Sequence, residues 1–375
     1  MKILKYKCNA LGDDDWEFSE VEFGSINLLV GDTATGKTRL LNTIFNIGTF
    51  VARDEYKTGF WDITFEQQGS TYRWLLRTDN LSNDESSRIL EEKLWKLGNE
   101  TTLLVERTEN KFVFSKEKLP KLSPRITAIS LLKEEEVIQP IHEGFGAIRR
   151  RRFFHDALLK VSELEPIPQD ALKKFRPGLT ERDLYKAKLG LNATLYILSI
   201  HNKEAFDSIR KNFKVAFPFI DDMQIQDFSK VSPGVTFPVE IPVFCIKEKS
   251  STNWIPITEA SSGMQKVLLI LTDTYTLPPQ SIYIIDEYEN SLGINAIDFF
   301  PHFLLDIEKD IQFFITSHHP YIINEIPSRN WYVFNRKGKK VTIKYGEELE
   351  RRFGKSKQQA FIQLINDPFY VDGVE

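Results

Sequence analysis

The segment GDTATGKT, Gly31 to Thr38, constrains this chain more than any other feature in it. It fits the pattern G-x-x-x-x-G-K-[S/T], and its surroundings fit as well. The run Ile26, Leu28, Leu29, Val30 before it reads as a short buried strand, while RLLNTIFNIG after it places Leu40, Leu41, Ile44, Phe45 and Ile47 at helical spacing. Glycines let successive backbone N–H groups turn inward around phosphate oxygens, and the helix that follows presents its positive N-terminal end. Lys37 adds a point charge and the Thr38 hydroxyl is a Mg²⁺ ligand. The nucleotide-binding candidates are therefore Gly31, Asp32, Thr33, Ala34, Thr35, Gly36, Lys37, Thr38 and Arg39.

A second cluster, IYIIDEYENSLG, ends another apolar strand with adjacent carboxylates. Asp286 at the strand end can reach the metal's shell, and Glu287, projecting differently, can polarise an attacking water. The metal candidates from these two segments are Thr38 and Asp286.

Composition sets outer limits. Of 375 residues, 41% are hydrophobic, with 28 Phe and 12 Tyr, so a core can form and wholesale disorder is excluded. The net charge of −4 argues against a globally basic nucleic-acid coat protein. Cys8 and Cys245 are isolated, which excludes a disulfide scaffold and a Cys-x-x-Cys zinc site. With no signal-type segment and no long apolar window, the expectation is a cytoplasmic protein without a membrane partner.

The expected organisation is an N-terminal lobe over 1–142 with antiparallel strands after Gly59, a basic helical insertion over 143–215, a C-terminal lobe over 216–345 and a helical tail over 346–375. The insertion carries 15 Lys and Arg against 9 Asp and Glu, an excess of six positive charges that leaves the rest of the chain near −10. Thr180, Glu181 and Asp183 predict a capping box opening a long helix towards His201, with Leu184, Leu191, Leu195 and Leu198 on its apolar side. Arg149, Arg150, Arg151 and Arg152 are the unusual feature: either a contact for nucleic-acid phosphates or an acidic partner, or helix arginines paired with local acids.

Three C-terminal segments now carry a resemblance. SSGMQK (Ser261 to Lys266), IIDEYENSL (Ile284 to Leu292) and ITSHHPYIIN (Ile315 to Asn324) resemble the signature motif, Walker B with D-loop, and His switch of ABC-type ATPases. The wording is closer to the RecF, SMC and OLD-like branch, including ATPases of prokaryotic anti-phage defence, than to transporter cassettes. Ser262 lies 24 residues before Asp286 and His318 lies 32 after it, spacing that also matches. The resemblance implies an α/β fold: a P-loop NTPase of ABC-type ATPase head architecture, with a mixed sheet, an antiparallel β lobe and a helical insertion.

It further implies an ATPase using ATP and Mg²⁺, with Lys37, Glu287 and His318 catalytic and with Gln139, which follows the strand-like RITAISLL, as the Q-loop glutamine that joins Thr38 and Asp286 as a metal candidate. Ser262, Gly263 and Gln265 match the signature residues that, in this family, contact nucleotide held by the opposite subunit, so a head-to-tail homodimer or higher even oligomer is implied. His318, directly after Thr316-Ser317, fits the switch position better than His319. Three departures stand out: Thr33-Ala34 where the family often has Asn-Gly, Met264 where a second glycine is usual, and Gly293 at a position often held by His. They make slow or conditional turnover an expectation. For the biological role, a defence ATPase controlling a separate nuclease or toxin competes with a RecF- or SMC-like DNA-repair or chromosome-maintenance ATPase gripping duplex DNA through the arginine run; a transporter motor fits the D-loop wording worse.

Overall fold

The computed structural model describes residues 1–10, 16–79, 87–120, 123–152, 180–231, 234, 241–290, 292–350 and 357–372. The chain forms two compact units. One comprises Met1–Arg150, Gln280–Asp286 and Asp310–Glu375; the other comprises Arg151–Pro279 and Glu287–Lys309. The chain passes from one unit to the other at Arg150/Arg151, Pro279/Gln280, Asp286/Glu287 and Lys309/Asp310.

The first unit is built on one mixed sheet. Its parallel centre is Ile26–Val30 beside Ile311–Thr316 beside Ser281–Asp286, with Phe313 opposite Ile26 and Ser281 opposite Ile311. Every residue of Ser281–Asp286 and Ile311–Thr316 is buried, which is why these strands read as unbroken apolar runs rather than alternating ones. The helix Lys37–Arg53 covers this centre with Leu40, Leu41, Ile44, Ile47 and Phe50, at the helical spacing read from the sequence. Trp331–Lys337 and Lys340–Tyr345 form an antiparallel hairpin, whose first strand runs parallel to Ile26–Val30.

The antiparallel strands form a wing joined through Lys2–Ala10. Phe60–Gln67 pairs with Ser70–Thr78 so that Trp61, Ile63 and Phe65 face Leu76, Trp74 and Tyr72. Gln68 (φ 48°) and Gly69 (φ 73°) make the two-residue turn, both left-handed, as the twist of a tight hairpin requires. Gln312 stitches wing to centre by imitating a strand: its side chain accepts from the Ile3 N–H and donates to the Ile3 carbonyl, both at 2.8 Å.

The second unit holds the helices Glu181–Ala187, Leu191–His201, Lys203–Ala216, Ser262–Thr276 and Ile294–Asp306, with antiparallel strands Ile220–Asp227 and Pro242–Glu248. The capping box at Thr180 and Asp183 is present, but the single long helix is not. Lys188 adopts a left-handed conformation that ends the first helix, and a new one begins after Gly190. Ser262–Thr276 is buried from Gly263 through Thr274, as an apolar helix at the centre of a unit must be. Among the described residues no helix is long and apolar enough to cross a membrane.

Candidate active site

The phosphate-binding loop is held by close backbone approaches. A side chain at Gly31 would lie 2.9 Å from the Phe334 carbonyl, and one at Gly36 (φ 102°) would meet the Trp16 ring at 2.9 Å. Ala34 is also left-handed (φ 65°), a conformation that costs an alanine about 1 kcal/mol and stiffens the loop. Gly36 offers no side-chain cap to the helix that begins at Lys37. The Lys37 ammonium, 6% exposed, donates to the carbonyls of Gly31 at 2.8 Å and Asp32 at 2.7 Å, so it lies across the loop it follows. Arg39 places its guanidinium 4.2 Å from the centre of the Trp16 ring, and Arg336 approaches the same ring at 4.7 Å.

Beside this loop the parallel strands bring together residues far apart in the chain. The Thr38 hydroxyl donates to Asp286 Oδ1 at 3.1 Å across 248 residues, and Thr316, at the end of the neighbouring strand, donates to the same oxygen at 2.9 Å. The second oxygen, Oδ2, forms an ion pair with Arg150 Nη2 at 2.9 Å, and the other side of that guanidinium donates to Asn42 Oδ1. His318 follows the Ile311–Thr316 strand in an exposed position two residues beyond Thr316. The donor set of a threonine hydroxyl and a carboxylate, next to a phosphate-binding loop, suits Mg²⁺, which takes few protein oxygens and fills its octahedron with phosphate oxygens and water.

Two readings of the sequence are corrected here. RITAISLL contributes the helix Ala128–Leu131, capped by Thr127 accepting from the Ser130 N–H, and Gln139 is the exposed first residue of the helix Gln139–Gly146. No strand delivers Gln139 to the metal position. The strand that does flank Ser281–Asp286 is Ile148–Arg152, so the arginine run is extended, not helical. Two of its arginines are engaged within the chain. Arg150 is 5% exposed on Asp286, and Arg151 holds Asp273 through two bonds of 2.6 and 2.8 Å.

In the second unit, Glu287 is exposed and left-handed (φ 53°), with its carboxylate accepting from the Asn290 side-chain amide. The left-handed turn re-aims a side chain that a continuing strand would send elsewhere. At the signature segment, Ser261 is the N-cap and accepts from the Met264 N–H at 3.3 Å, which leaves Ser262 exposed in the first turn of the helix. Gly263 is buried; Gln265 turns back on its own loop, donating to the carbonyls of Thr258 and Ala260 at 3.2 and 3.0 Å.

Lys266 is the residue that sequence reasoning missed. Fully buried, it donates to the carbonyls of Tyr288 at 2.6 Å, Asn290 at 2.8 Å and Glu287 at 3.3 Å, and so ties the signature helix to the segment after the acidic pair. Burial lowers its pKa to about 7, against the opposing pull of Glu289 and Glu287. The available signal was a lone cation directly before the apolar run VLLIL.

Comparison with known proteins agrees with this geometry. Residues 26–324 match the family described as "AAA domain, putative AbiEii toxin, Type IV TA system". No curated protein matches the chain. Among solved structures, an SMC head bound to the C-terminal winged-helix domain of ScpA is 8% identical with a TM-score of 0.50, covering 92% of this chain and 97% of its own. The SMC head domain from Thermotoga maritima is 12% identical with a TM-score of 0.44, covering 92% and 99%. The first of these likenesses shows the fold, a P-loop fold like that of an SMC head.

Proposed function

This chain belongs to that AAA family, and we propose that it is an ATPase that closes head-to-tail with a second copy around ATP and thereby controls a separate effector, a nuclease or toxin, in anti-phage defence. The observation that carries the ATPase reading is the Thr38 to Asp286 hydrogen bond, which joins the phosphate-binding loop to the acidic strand end across 248 residues. In this reading the loop amides and Lys37 bind the phosphates, and Thr38 and Asp286 would hold Mg²⁺. The metal, when bound, neutralises charge on the β- and γ-phosphates. Glu287 accepts the proton of a water whose oxygen attacks the γ-phosphorus while the bond to the bridging oxygen breaks and the electron pair leaves with ADP. His318 orients that water or the γ-phosphate. Ser262 supplies a hydroxyl at a helix N-terminus to the nucleotide of the second copy.

The family's description includes a toxin–antitoxin system, which supports an effector role over chromosome maintenance. The engagement of Arg150 and Arg151 with Asp286 and Asp273 gives two of the four arginines a role within the chain, which supports the effector reading over direct contact with DNA. The test compares Lys37→Ala with Ser262→Arg. Lys37→Ala should abolish nucleotide binding, whereas Ser262→Arg should bind ATP as a monomer yet fail to dimerise or turn over. Normal ATP-dependent dimerisation of Ser262→Arg would refute the shared site.

A further inference from the structure

Asp286 is committed at both oxygens by this chain's own side chains. Thr38 and Thr316 hold Oδ1, and Arg150 holds Oδ2 with its carboxylate partner 8% exposed. The guanidinium is itself fixed, on its other side by Asn42 and along its face by the Phe45 ring at 6.0 Å. Asn42 and Phe45 lie one turn apart on the helix that starts at the phosphate-binding loop. The fork of Arg150 therefore spans from that helix to the acidic strand end. A buried arginine in this position has two physical effects: it neutralises a carboxylate whose isolated burial would be costly, and it occupies the oxygen that a second cation would use.

We propose that Arg150 is a positioning residue that holds Asp286 in an ion pair against which Mg²⁺ must compete, so that Arg150 sets the Mg²⁺ concentration at which the nucleotide site loads. The inference rests on the reading of this site as an Mg²⁺–ATP site. The Thr38 and Thr316 bonds keep Oδ1 in place throughout, and the exchange is confined to Oδ2. Because the same guanidinium also holds Asn42, its release is felt in the loop helix, which couples metal entry to the segment that carries Lys37 and Thr38.

The test is a Mg²⁺ titration of fluorescent ATP-analogue binding by the full chain, with EDTA as the zero point. Arg150→Gln, which keeps a hydrogen-bonding side chain but no charge, should lower the Mg²⁺ concentration for half-maximal binding by about tenfold or more, the size of effect that a neighbouring arginine has on a carboxylate's affinity for a proton. Arg150→Lys keeps the charge but loses the fork that also holds Asn42, and should shift the half-point in the same direction by a smaller factor than Arg150→Gln. Asn42→Ala, which frees one side of the guanidinium, should shift the half-point in the same direction as Arg150→Gln by a smaller factor. It remains informative should Arg150→Gln fold poorly. An unchanged or higher half-point in folded Arg150→Gln, or none in Asn42→Ala where the former does not fold, overturns the proposal. If the unaltered chain binds no nucleotide at any Mg²⁺ concentration, the ATP-site reading itself fails. If it binds, Lys37→Ala does not, and Arg150→Gln behaves like the unaltered chain, only the role of Arg150 fails.

Discussion

Asp286 and Glu287 are consecutive residues with the same charged group, yet they end up in different units and in opposite environments. Asp286 closes a buried strand and is gripped by two hydroxyls and a guanidinium. Glu287 is exposed, left-handed, and turned towards the Asn290 amide. A carboxylate that must fix a cation benefits from being held in one place before the cation arrives. One that must take a proton from water has to meet water. The single backbone change at Glu287, to a left-handed conformation, gives the roles proposed for the two carboxylates different settings in adjacent residues.

The contrast extends to the two buried cations. Arg150 faces a carboxylate, whereas the bonds of Lys266 run to three backbone carbonyls, which attract a cation but do not neutralise it. The first arrangement sets opposite charges against each other. The second lowers the lysine's pKa to about 7.

The largest expected break in this comparison comes from Asp286→Ala. It leaves Arg150 buried without its carboxylate and should cost about 3–5 kcal/mol of stability by urea unfolding. A loss below 1 kcal/mol would mean that the pair is not the fixed element described. Lys266→Met should cost about 1–3 kcal/mol by leaving carbonyls unsatisfied, and it should also change the pH profile. In the unaltered chain Lys266 is neutral when folded above pH 7 but protonated when unfolded up to about 10.5, so its contribution makes stability rise with pH across that window and fall as pH drops through 7. That slope should vanish in Lys266→Met; an identical slope in both chains would place the titration elsewhere. Thr316→Val removes one of two hydroxyls on Asp286 Oδ1 and should cost about 1 kcal/mol, with urea midpoints as the readout. Smallest of all, Glu287→Gln should alter stability by no more than about 0.5 kcal/mol, as expected for an exposed side chain.

What was legible in the sequence was whatever local spacing determines. The strand, loop and helix around Gly31–Thr38, the acidic strand end and the alternation of Trp61, Ile63 and Phe65 each follow a period that one stretch of chain carries by itself. The arginine run was opaque because four like residues have no period. Only pairing beside Ser281–Asp286 makes it a strand, in which neighbours point to opposite faces and Arg150 and Arg151 acquire different partners. Gln139 was misplaced because a short apolar run such as RITAISLL fits either a strand or a helix, and the Thr127 cap, which decides between them, gains its meaning from the helix it starts. Lys266 escaped notice because a lysine in a helix ordinarily marks the solvent face; here the helix is enclosed and the carbonyls that satisfy it come from a segment more than 20 residues away.

The central claim, that consecutive carboxylates divide metal holding from water activation, is tested most directly by measuring bound nucleotide and phosphate release together in Glu287→Gln. The account predicts that this variant binds Mg²⁺–ATP as the unaltered chain does while releasing phosphate at least about 100-fold more slowly, the scale expected for loss of a general base. Phosphate release at the unaltered rate would contradict it.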